Sequence, residues 1–183
     1  KTLDTAFNYG SSEKILGNIG VDDFQIITKT TSSIDGENIT IKGFNKSLKR
    51  LNQKSLDGLL IHNIEEVKNK HFEFIFRELT ELKQRGLINK IGFSTYTPKQ
   101  VDFVLNNFDF DLIQVPFNVF DIRLIQGGQL EKLKNKGVEV HARSVFLQGI
   151  LLDFDNLSDY FSMWKRQFSE YKLITKEKGL SLL

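Results

Sequence analysis

The sequence predicts an α/β protein with a parallel sheet, and among parallel-sheet folds it favours a (β/α) barrel. Two features support this prediction. Short apolar runs of strand length alternate with amphipathic stretches of helix length, which is the pattern of successive βα units. A polar residue also stands at or beside the carboxyl end of each predicted strand. In a barrel these ends meet at one mouth, where barrel enzymes hold their catalytic groups.

The predicted strands and helices alternate along the chain. The strands are residues 2–5, 24–28, 58–61, 90–93, 112–115 and 138–142. Amphipathic stretches predict helices at residues 13–19, 37–51, 70–85, 99–107, 121–136 and 159–178. Residues 30–36 are predicted to form a loop.

Several helix ends carry local signals. Ser11 or Ser12 is expected to cap the first helix with its hydroxyl. Thr97 is expected to cap the fourth helix, because Pro98 follows it at the first helical position. Gly86 stands where the third helix should end.

Composition limits the classes of function. The chain has 183 residues, of which 40% are apolar and 26% charged, and we expect residues 1–183 to form a single soluble domain. The net charge of +2 and the absence of a long basic run argue against nucleic-acid binding. No apolar run is long enough to predict a membrane span. Because the chain has no cysteine, it forms no disulfide, and we predict a cytoplasmic protein.

The junctions between strands and helices separate two kinds of parallel sheet. None of them has the spacing of a Gly-rich dinucleotide turn or of a phosphate loop, either of which would favour a doubly wound sheet. Instead, each predicted strand ends at or beside a polar residue, and we expect these six side chains to share one mouth. They are Asp4, Lys29, His62, Ser94, Gln114 and Arg143.

Four residues near the first three strand ends form a candidate acid–base set: Asp4, Tyr9, Lys29 and His62. A free tyrosine, with a pKa of about 10, is a poor proton donor near neutral pH, and a nearby ammonium lowers the pKa of a phenol. Lys29 could be that ammonium, with Asp4 on the neighbouring strand as its counter-ion. His62 could orient or polarise a carbonyl oxygen.

The chemistry that fits this set is protonation of a carbonyl oxygen while a hydride is delivered to the carbonyl carbon. The hydride must come from a cofactor, because no side chain supplies one. Taken singly, each residue also has a structural interpretation, as a cap, a solvated strand end or a hydrogen-bonded histidine. Their occurrence at three consecutive strand ends favours the catalytic interpretation.

The sequence also resembles the aldo-keto reductase family. Residues 4–17 are similar to the first signature of that family, Lys29 to its lysine, residues 47–62 to the segment that bears its histidine, and residues 86–94 to a further motif. The resemblance implies a (β/α)8 barrel and NADPH as the hydride donor. It also implies that Tyr9 is the general acid, and that Ser94 and Gln114 hold the nicotinamide carboxamide.

Two positions depart from the pattern of the family. Ser94 is followed by Thr95 where the family commonly has asparagine, so one carboxamide contact differs. Arg143 stands where many members place a tyrosine under the nicotinamide ring, and a guanidinium can also stack on a ring. Ser144 follows it, and Gln148 would lie on the loop near the pyrophosphate. We therefore count Arg143, Ser144 and Gln148 among the expected cofactor-binding residues.

The length of the chain is the largest departure. Matched to the family, the chain begins at the second barrel strand and stops before the eighth, so about strands 2 to 7 are expected. The strands at residues 2–5 and 138–142 should then be open edges of the sheet. This predicts a partial barrel, either a piece of a longer protein or a truncated product.

Two other functions remain open. The chain could be a non-catalytic barrel that binds nucleotide as a sensor or partner subunit. It could also be a Schiff-base aldolase with Lys29 as nucleophile, although Asp4 would keep that amine protonated and oppose attack. The expected partner is a small-molecule carbonyl substrate. We expect no metal, and the sequence specifies neither the individual substrate nor the oligomeric state.

Overall fold

The computed structural model describes residues 1–31, 39–68, 72–153 and 156–181. These residues form two compact units. Unit 1 comprises Lys1–Val115 and Arg123–His141, and unit 2 comprises Pro116–Ile122 and Ala142–Leu183. Most of the predicted loop at 30–36 and the first residues of two predicted helices, at 37–38 and 70–71, lie outside the described residues. Within the described part, no helix is long and apolar enough to cross a bilayer.

One six-stranded sheet carries the fold, with its strands in sequence order from β1 to β6. They are β1 (Thr2–Asp4), β2 (Gln25–Lys29), β3 (Leu56–Ile61), β4 (Ile88–Ser94), β5 (Leu112–Pro116) and β6 (Glu139–Arg143). The four pairs from β1·β2 to β4·β5 are all parallel. Sequential order in a parallel sheet requires each crossover to run over the same face, which is the topology of a (β/α)8 barrel. The predicted fold, an incomplete (β/α)8 barrel, is confirmed.

The described helices are α1 (Ser12–Ile19), α2 (Ile39–Leu51), α3 (Phe72–Gln84), α4 (Pro98–Asn107), α5 (Arg123–Gln126), α6 (Gln129–Asn135) and α7 (Lys165–Glu177). The described residues also include the 3₁₀ segments Ile64–Lys68, Leu147–Leu152 and Asp159–Trp164. The cap predicted for α4 is confirmed, because the Thr97 hydroxyl accepts from the Gln100 amide and the Gln100 side chain accepts from the Thr97 amide.

Two sequence predictions about helices were wrong, and a third was confirmed with a different helix type at its start. The single helix expected at 121–136 is two helices, because Gly128 adopts a φ of 75° that an α-helix cannot contain. The stretch 159–178 is helical as expected, first as the 3₁₀ segment Asp159–Trp164 and then as α7. Neither serine caps α1 as expected. Ser11 makes no side-chain cap, and the Ser12 hydroxyl lies 2.9 Å from the Thr5 hydroxyl.

The sheet separates two layers of apolar side chains in unit 1. The larger layer lies between the strands and the helices, and it includes Leu59, Phe93 and Ile113. A smaller cluster of Ile27, Leu60 and Leu112 lies on the other face of the sheet. Because β4 and β5 approach closely there, a Cβ on Gly92 would lie 2.1 Å from the Leu112 carbonyl oxygen. Any side chain at position 92 would therefore push the two strands apart.

The edges of the sheet agree with the sequence prediction. In the described residues, β1 and β6 stand at the two ends of the strand order. β1 is largely exposed, whereas β3 is buried along its whole length.

In unit 2, aromatic packing joins Phe120 to Phe168 and Tyr171 of α7, with ring centroids 5.8 and 5.9 Å apart.

Candidate active site

A lysine–aspartate pair lies at the carboxyl ends of β1 and β2, as predicted. Lys29 Nζ lies 2.8 Å from each carboxylate oxygen of Asp4 and 2.9 Å from the Thr5 carbonyl oxygen. The Lys29 side chain is only 1% exposed. The ammonium has three protons, and these three acceptors receive them. The surroundings of Lys29 therefore favour its charged form despite burial.

Tyr9 lies over this pair on the loop between β1 and α1. Lys29 Nζ is 5.1 Å from the centroid of the Tyr9 ring. The ring of His62 meets the ring of Tyr9 edge to face, with centroids 5.8 Å apart and an interplanar angle of 82°. Tyr9 is 49% exposed, so its ring is open to solvent while the lysine beneath it is buried. The structure brings together all four residues of the predicted acid–base set.

His62 follows the last residue of β3, and the neighbouring strand end fixes its backbone. Its amide donates to the Thr30 hydroxyl at 3.2 Å, and the Thr30 amide donates to the Leu60 carbonyl at 2.8 Å. These bonds extend the β2·β3 pairing beyond the strands themselves. The histidine therefore leaves the sheet at a defined point beside Tyr9.

Gln114 and Ser94 lie on adjacent strands at the same end of the sheet. They are register partners in the β4·β5 pair, and both side chains are buried. Gln114 Nε2 donates to Asp4 Oδ1 at 2.9 Å. This bond joins residues 110 positions apart in the sequence and gives the Asp4 carboxylate a second donor besides Lys29. Sequence reasoning placed Gln114 at this mouth but missed its bond to Asp4.

A salt-bridged arginine holds the loop that carries Tyr9. Arg50 Nη1 donates to the Phe7 carbonyl at 3.3 Å, and its guanidinium lies 3.8 Å from the centroid of the Phe7 ring. Arg50 also contacts Glu13 at 3.3 Å, and Glu13 accepts from the Thr28 hydroxyl at 2.8 Å. These contacts connect β2, α1 and α2 to the loop, two residues before Tyr9. Glu13 and Arg50 lie in the segments 4–17 and 47–62 that resemble the family, but the sequence analysis gave them no role.

His62 lines a cavity of about 270 Å³ at this end of the sheet. Among the described residues, those that line it are Asn8, His62, Asn63, Glu66 and Tyr96. Asn8 precedes Tyr9, Asn63 follows His62, and Tyr96 lies shortly after Ser94. Each therefore belongs to a connection that leaves the carboxyl end of a strand. Sequence reasoning did not identify Asn8, Asn63, Glu66 or Tyr96, because pocket walls have no motif of their own.

The other expected cofactor-binding residues, Arg143, Ser144 and Gln148, belong to unit 2. The Arg143 carbonyl accepts from the Phe117 amide at 3.1 Å, and the Ser144 carbonyl accepts from Asn118 Nδ2 at 3.3 Å. Ser144 and Gln148 have φ values of 57° and 56°. Left-handed backbone at non-glycine residues costs conformational energy and occurs often at functional sites.

Comparison with known proteins identifies the family. The family model described as "Aldo/keto reductase family" matches residues 1–180. The chain belongs to this family. Curated members similar to it include a glyoxal reductase of Bacillus subtilis, 29% identical over 167 residues, and an aldo-keto reductase of a Mycobacterium species, 32% identical over 110 residues. These matches cover 86% and 57% of this chain, and 58% and 40% of the two relatives.

Solved structures of aldo/keto reductases share the fold. An aldo/keto reductase of Klebsiella pneumoniae in complex with NADP and acetate superposes with a TM-score of 0.76 at 20% identity. A glycerol dehydrogenase of Gluconobacter oxydans gives a TM-score of 0.75 at 23% identity. The alignments cover 100% and 99% of this chain, but only 62% and 65% of those chains. At this identity the likeness shows the fold alone.

Within the aldo/keto reductase fold, the predicted roles of the site residues stay predictions. The predicted Lys29–Asp4 ion pair is present, and Tyr9 and His62 lie beside it. Ser94 and Gln114 lie at the same mouth of the sheet. The roles expected for Arg143, Ser144 and Gln148 in unit 2 are likewise predictions.

Proposed function

We propose that this chain carries the active site of an NADPH-dependent reductase that converts an aldehyde or ketone to an alcohol. The observation that carries the proposal is the buried Lys29 ammonium, held by Asp4 and lying 5.1 Å from the Tyr9 ring. We also propose that residues 1–183 act as one partial barrel domain in the cytoplasm. The family match, which extends over residues of both units, supports a single domain. The lack of cysteine is compatible with the cytoplasm.

In this proposal Tyr9 is the general acid. As the carbonyl carbon gains a hydride, negative charge develops on the carbonyl oxygen, and the Tyr9 hydroxyl gives that oxygen its proton. Lys29 then stabilises the resulting phenolate, and Asp4 keeps Lys29 charged. His62, in edge contact with Tyr9, orients the carbonyl oxygen by hydrogen bonding. Because Tyr9 is about half exposed, its proton can be replaced from solvent.

The residues at the strand ends also fit the proposed cofactor. Ser94 and Gln114 are buried polar side chains on paired strands, and together they offer the hydroxyl and amide groups that a carboxamide can bind. Bound NADPH would supply the hydride and become NADP⁺. The NADP complex of the Klebsiella pneumoniae protein, which shares the fold, is compatible with this choice.

The lysine environment argues against a Schiff-base aldolase. A nucleophilic lysine must be neutral, whereas Lys29 meets three acceptors, two of them oxygens of a carboxylate. Each of these bonds favours the ammonium form. The name of the Bacillus subtilis relative, a glyoxal reductase, supports a carbonyl substrate instead.

The test is Tyr9→Phe in the natural gene product. It removes the proposed proton donor and keeps the ring. We expect kcat for aldehyde reduction to fall about 10²–10⁴-fold. NADPH affinity, measured by fluorescence titration, should stay within about twofold of the parent, because no predicted cofactor contact changes. Oxidation of NADPH is followed by absorbance.

The matched control is Tyr160→Phe, which removes a hydroxyl from an exposed tyrosine of unit 2. It should reduce aldehydes at the parental rate. A Tyr9→Phe protein with parental turnover would contradict the proposed general acid. A parent that binds NADPH but reduces no aldehyde would favour the non-catalytic nucleotide-binding barrel.

A further inference from the structure

The loop between β1 and α1 carries Tyr9, and the proposed reaction depends on where this loop holds the tyrosine. Lys29 is fixed on a buried strand, whereas Tyr9 is half-exposed on the loop. The Tyr9 amide donates to the Ala6 carbonyl and the Ser12 amide donates to the Tyr9 carbonyl, both at 3.0 Å. Surface loops are more mobile than the strands they follow, and such local turns do not by themselves fix a loop against the sheet. A contact from a separate element can do so, and Arg50 of α2 supplies one.

A continuous chain of contacts runs from the sheet to this loop. It begins at Thr28, the residue before Lys29 on β2, whose hydroxyl donates to Glu13 Oε1 at 2.8 Å. The other oxygen of that carboxylate, Oε2, accepts from Arg50 Nη1 at 3.3 Å. The same nitrogen donates to the Phe7 carbonyl, also at 3.3 Å. The chain therefore links the neighbour of the lysine to a residue two positions before the tyrosine.

Burial and helix packing hold Arg50 in this position. The Glu13 side chain is 1% exposed and that of Arg50 is 28% exposed. Because a buried carboxylate without its cation is costly, the guanidinium is held beside Glu13. The backbone of the arginine is also restrained: a Cβ on Gly17 of α1 would lie 2.2 Å from the Arg50 carbonyl oxygen. The two helices are thus in close contact at the point where the arginine side chain leaves α2.

The planar shape of the guanidinium gives it a second contact with the loop. Its central carbon lies 3.8 Å from the centroid of the Phe7 ring, so Arg50 contacts both the ring and the carbonyl of that residue. A lysine ammonium could pair with Glu13, but it offers no plane to stack on a ring. Arg50→Lys therefore separates two tasks, because it keeps the charge beside the buried carboxylate and removes the stacking on Phe7.

We propose that Arg50 is a positioning residue for the proposed general acid. By holding Phe7 through its ring and its carbonyl, Arg50 sets the Tyr9 ring over Lys29 and beside His62. This inference rests on the proposed reductase function and adds to it a residue that acts through the loop. Arg50 itself gives no proton to the substrate and takes none from it.

The kinetic test is Arg50→Lys in the natural gene product. We expect kcat for aldehyde reduction to fall about tenfold or more, because a misplacement of about 1 Å can cost about 10²-fold in rate. NADPH affinity, measured by fluorescence titration, should stay within about twofold of the parent, since the loss concerns the transition state. The matched control is Arg85→Lys, which makes the same change in an exposed pair with Glu81 and should leave kcat at the parental value. Parental kcat in Arg50→Lys, or an equal fall in both variants, would overturn the inference.

A second variant shows whether Arg50 acts through Phe7. Phe7→Leu removes the ring and leaves the pair of Arg50 with Glu13 intact, and it should lower kcat by a factor similar to that of Arg50→Lys. The double variant should be about as active as either single one, because both changes break the same contact. A double variant whose loss is the product of the two single losses would contradict the assignment. Should Arg50→Lys fold poorly, Phe7→Leu tests the same contact alone, and parental kcat in it would count against the inference.

A structural measurement separates this inference from the proposed reaction. The rings of Tyr9 and His62 meet edge to face, so the parent should show an NMR cross-relaxation signal between their ring protons. Tyr9→Phe assigns the tyrosine signals. The cross-relaxation should weaken in Arg50→Lys and persist in Arg85→Lys. An unchanged signal in Arg50→Lys would overturn the positioning role whether or not an aldehyde is reduced. A weakened signal in a protein whose parent reduces no aldehyde would support the positioning role, while the proposed reductase function would fail.

Discussion

Two lysines of the sheet hold carboxylates with similar geometry but in different surroundings. Lys29, at the carboxyl end of β2, contacts both oxygens of Asp4 at 2.8 Å. Lys90, near the amino end of β4, contacts Asp57 at 2.9 Å and Glu139 at 2.8 Å. Lys29 is 1% exposed and Lys90 is 24% exposed. Their neighbours, rather than the ion pairs, distinguish the two sites.

Around Lys29 lie an aromatic hydroxyl and an imidazole, beside a cavity. Lys90 contacts the carboxylates of Asp57 and Glu139, and Asn89 also donates to Asp57, at 3.2 Å. Hydrogen bonding to Glu139 is the main reason why the pKa of Lys90 is raised, and hydrogen bonding from Lys90 is the main reason why the pKa of Glu139 is lowered. We therefore expect the Lys90 site to stabilise the fold, whereas the proposed role of the Lys29 site is to support proton transfer from Tyr9.

The largest expected effect comes from Lys29→Met in the natural gene product. It removes the cation that we propose stabilises the Tyr9 phenolate, so we expect kcat/KM for aldehyde reduction to fall by about 10²-fold or more. The Asp4 side chain is 35% exposed and keeps its bond from Gln114, so it stays solvated and the loss of stability should be modest. Kinetics and urea unfolding on the same samples measure both effects. Parental kcat/KM in this variant would show that the two lysine sites do not differ in role.

Lys90→Met should give the converse result. It leaves the buried Asp57 without its cation, and we expect a loss of about 1–3 kcal/mol in the free energy of unfolding. Turnover should stay near the parental value, because Lys90 is remote from Tyr9 along the strands. Lys132→Met breaks an exposed pair with Asp102 and should cost less than about 1 kcal/mol. If Lys90→Met were no more destabilising than Lys132→Met, the structural role predicted for Lys90 would be refuted.

The smallest effect is a dependence of stability on pH. Because the pKa of Glu139 is lowered in the folded state, its contribution is present above the ordinary value of 4.5 and disappears as pH falls through the folded value. Glu139 is 43% exposed, so this contribution should be only a few tenths of a kcal/mol to about 1 kcal/mol. Urea unfolding of the parent and of Glu139→Gln should differ at pH 7 and converge in acid. If the difference in the free energy of unfolding between the parent and Glu139→Gln grew in acid, the prediction would be contradicted.

Much of the sheet could be predicted from the sequence. Buried strands of a parallel sheet are continuous apolar runs, and β3, β4 and β5 were found within two residues at each end. The Lys29–Asp4 pair could also be predicted, because neighbouring parallel strands place their carboxyl ends together. Helices were harder, since apolar spacing does not show where a left-handed residue such as Gly128 interrupts a helix.

The supporting contacts of the site could not be predicted. The Gln114–Asp4 bond joins two strands that are not neighbours in the sheet, so no local pattern signals it. The stacking of Arg50 on Phe7 depends on the relative placement of α2 and the loop after β1. Such contacts depend on how distant elements pack in three dimensions, which the spacing of residue types along the chain does not specify.

The shortness of strand β1, three residues, affects the fraction of molecules in which the Lys29–Asp4 ion pair is assembled. In the described residues it pairs with β2 alone, and Lys29 binds both Asp4 and the Thr5 carbonyl at its end. The contacts that hold the Lys29 ammonium therefore also hold the end of β1 against β2. The fraction of molecules with an assembled ion pair is set by the local opening free energy of β1, which can be far smaller than the global one. A ligand that binds only the closed edge would raise that fraction by mass action.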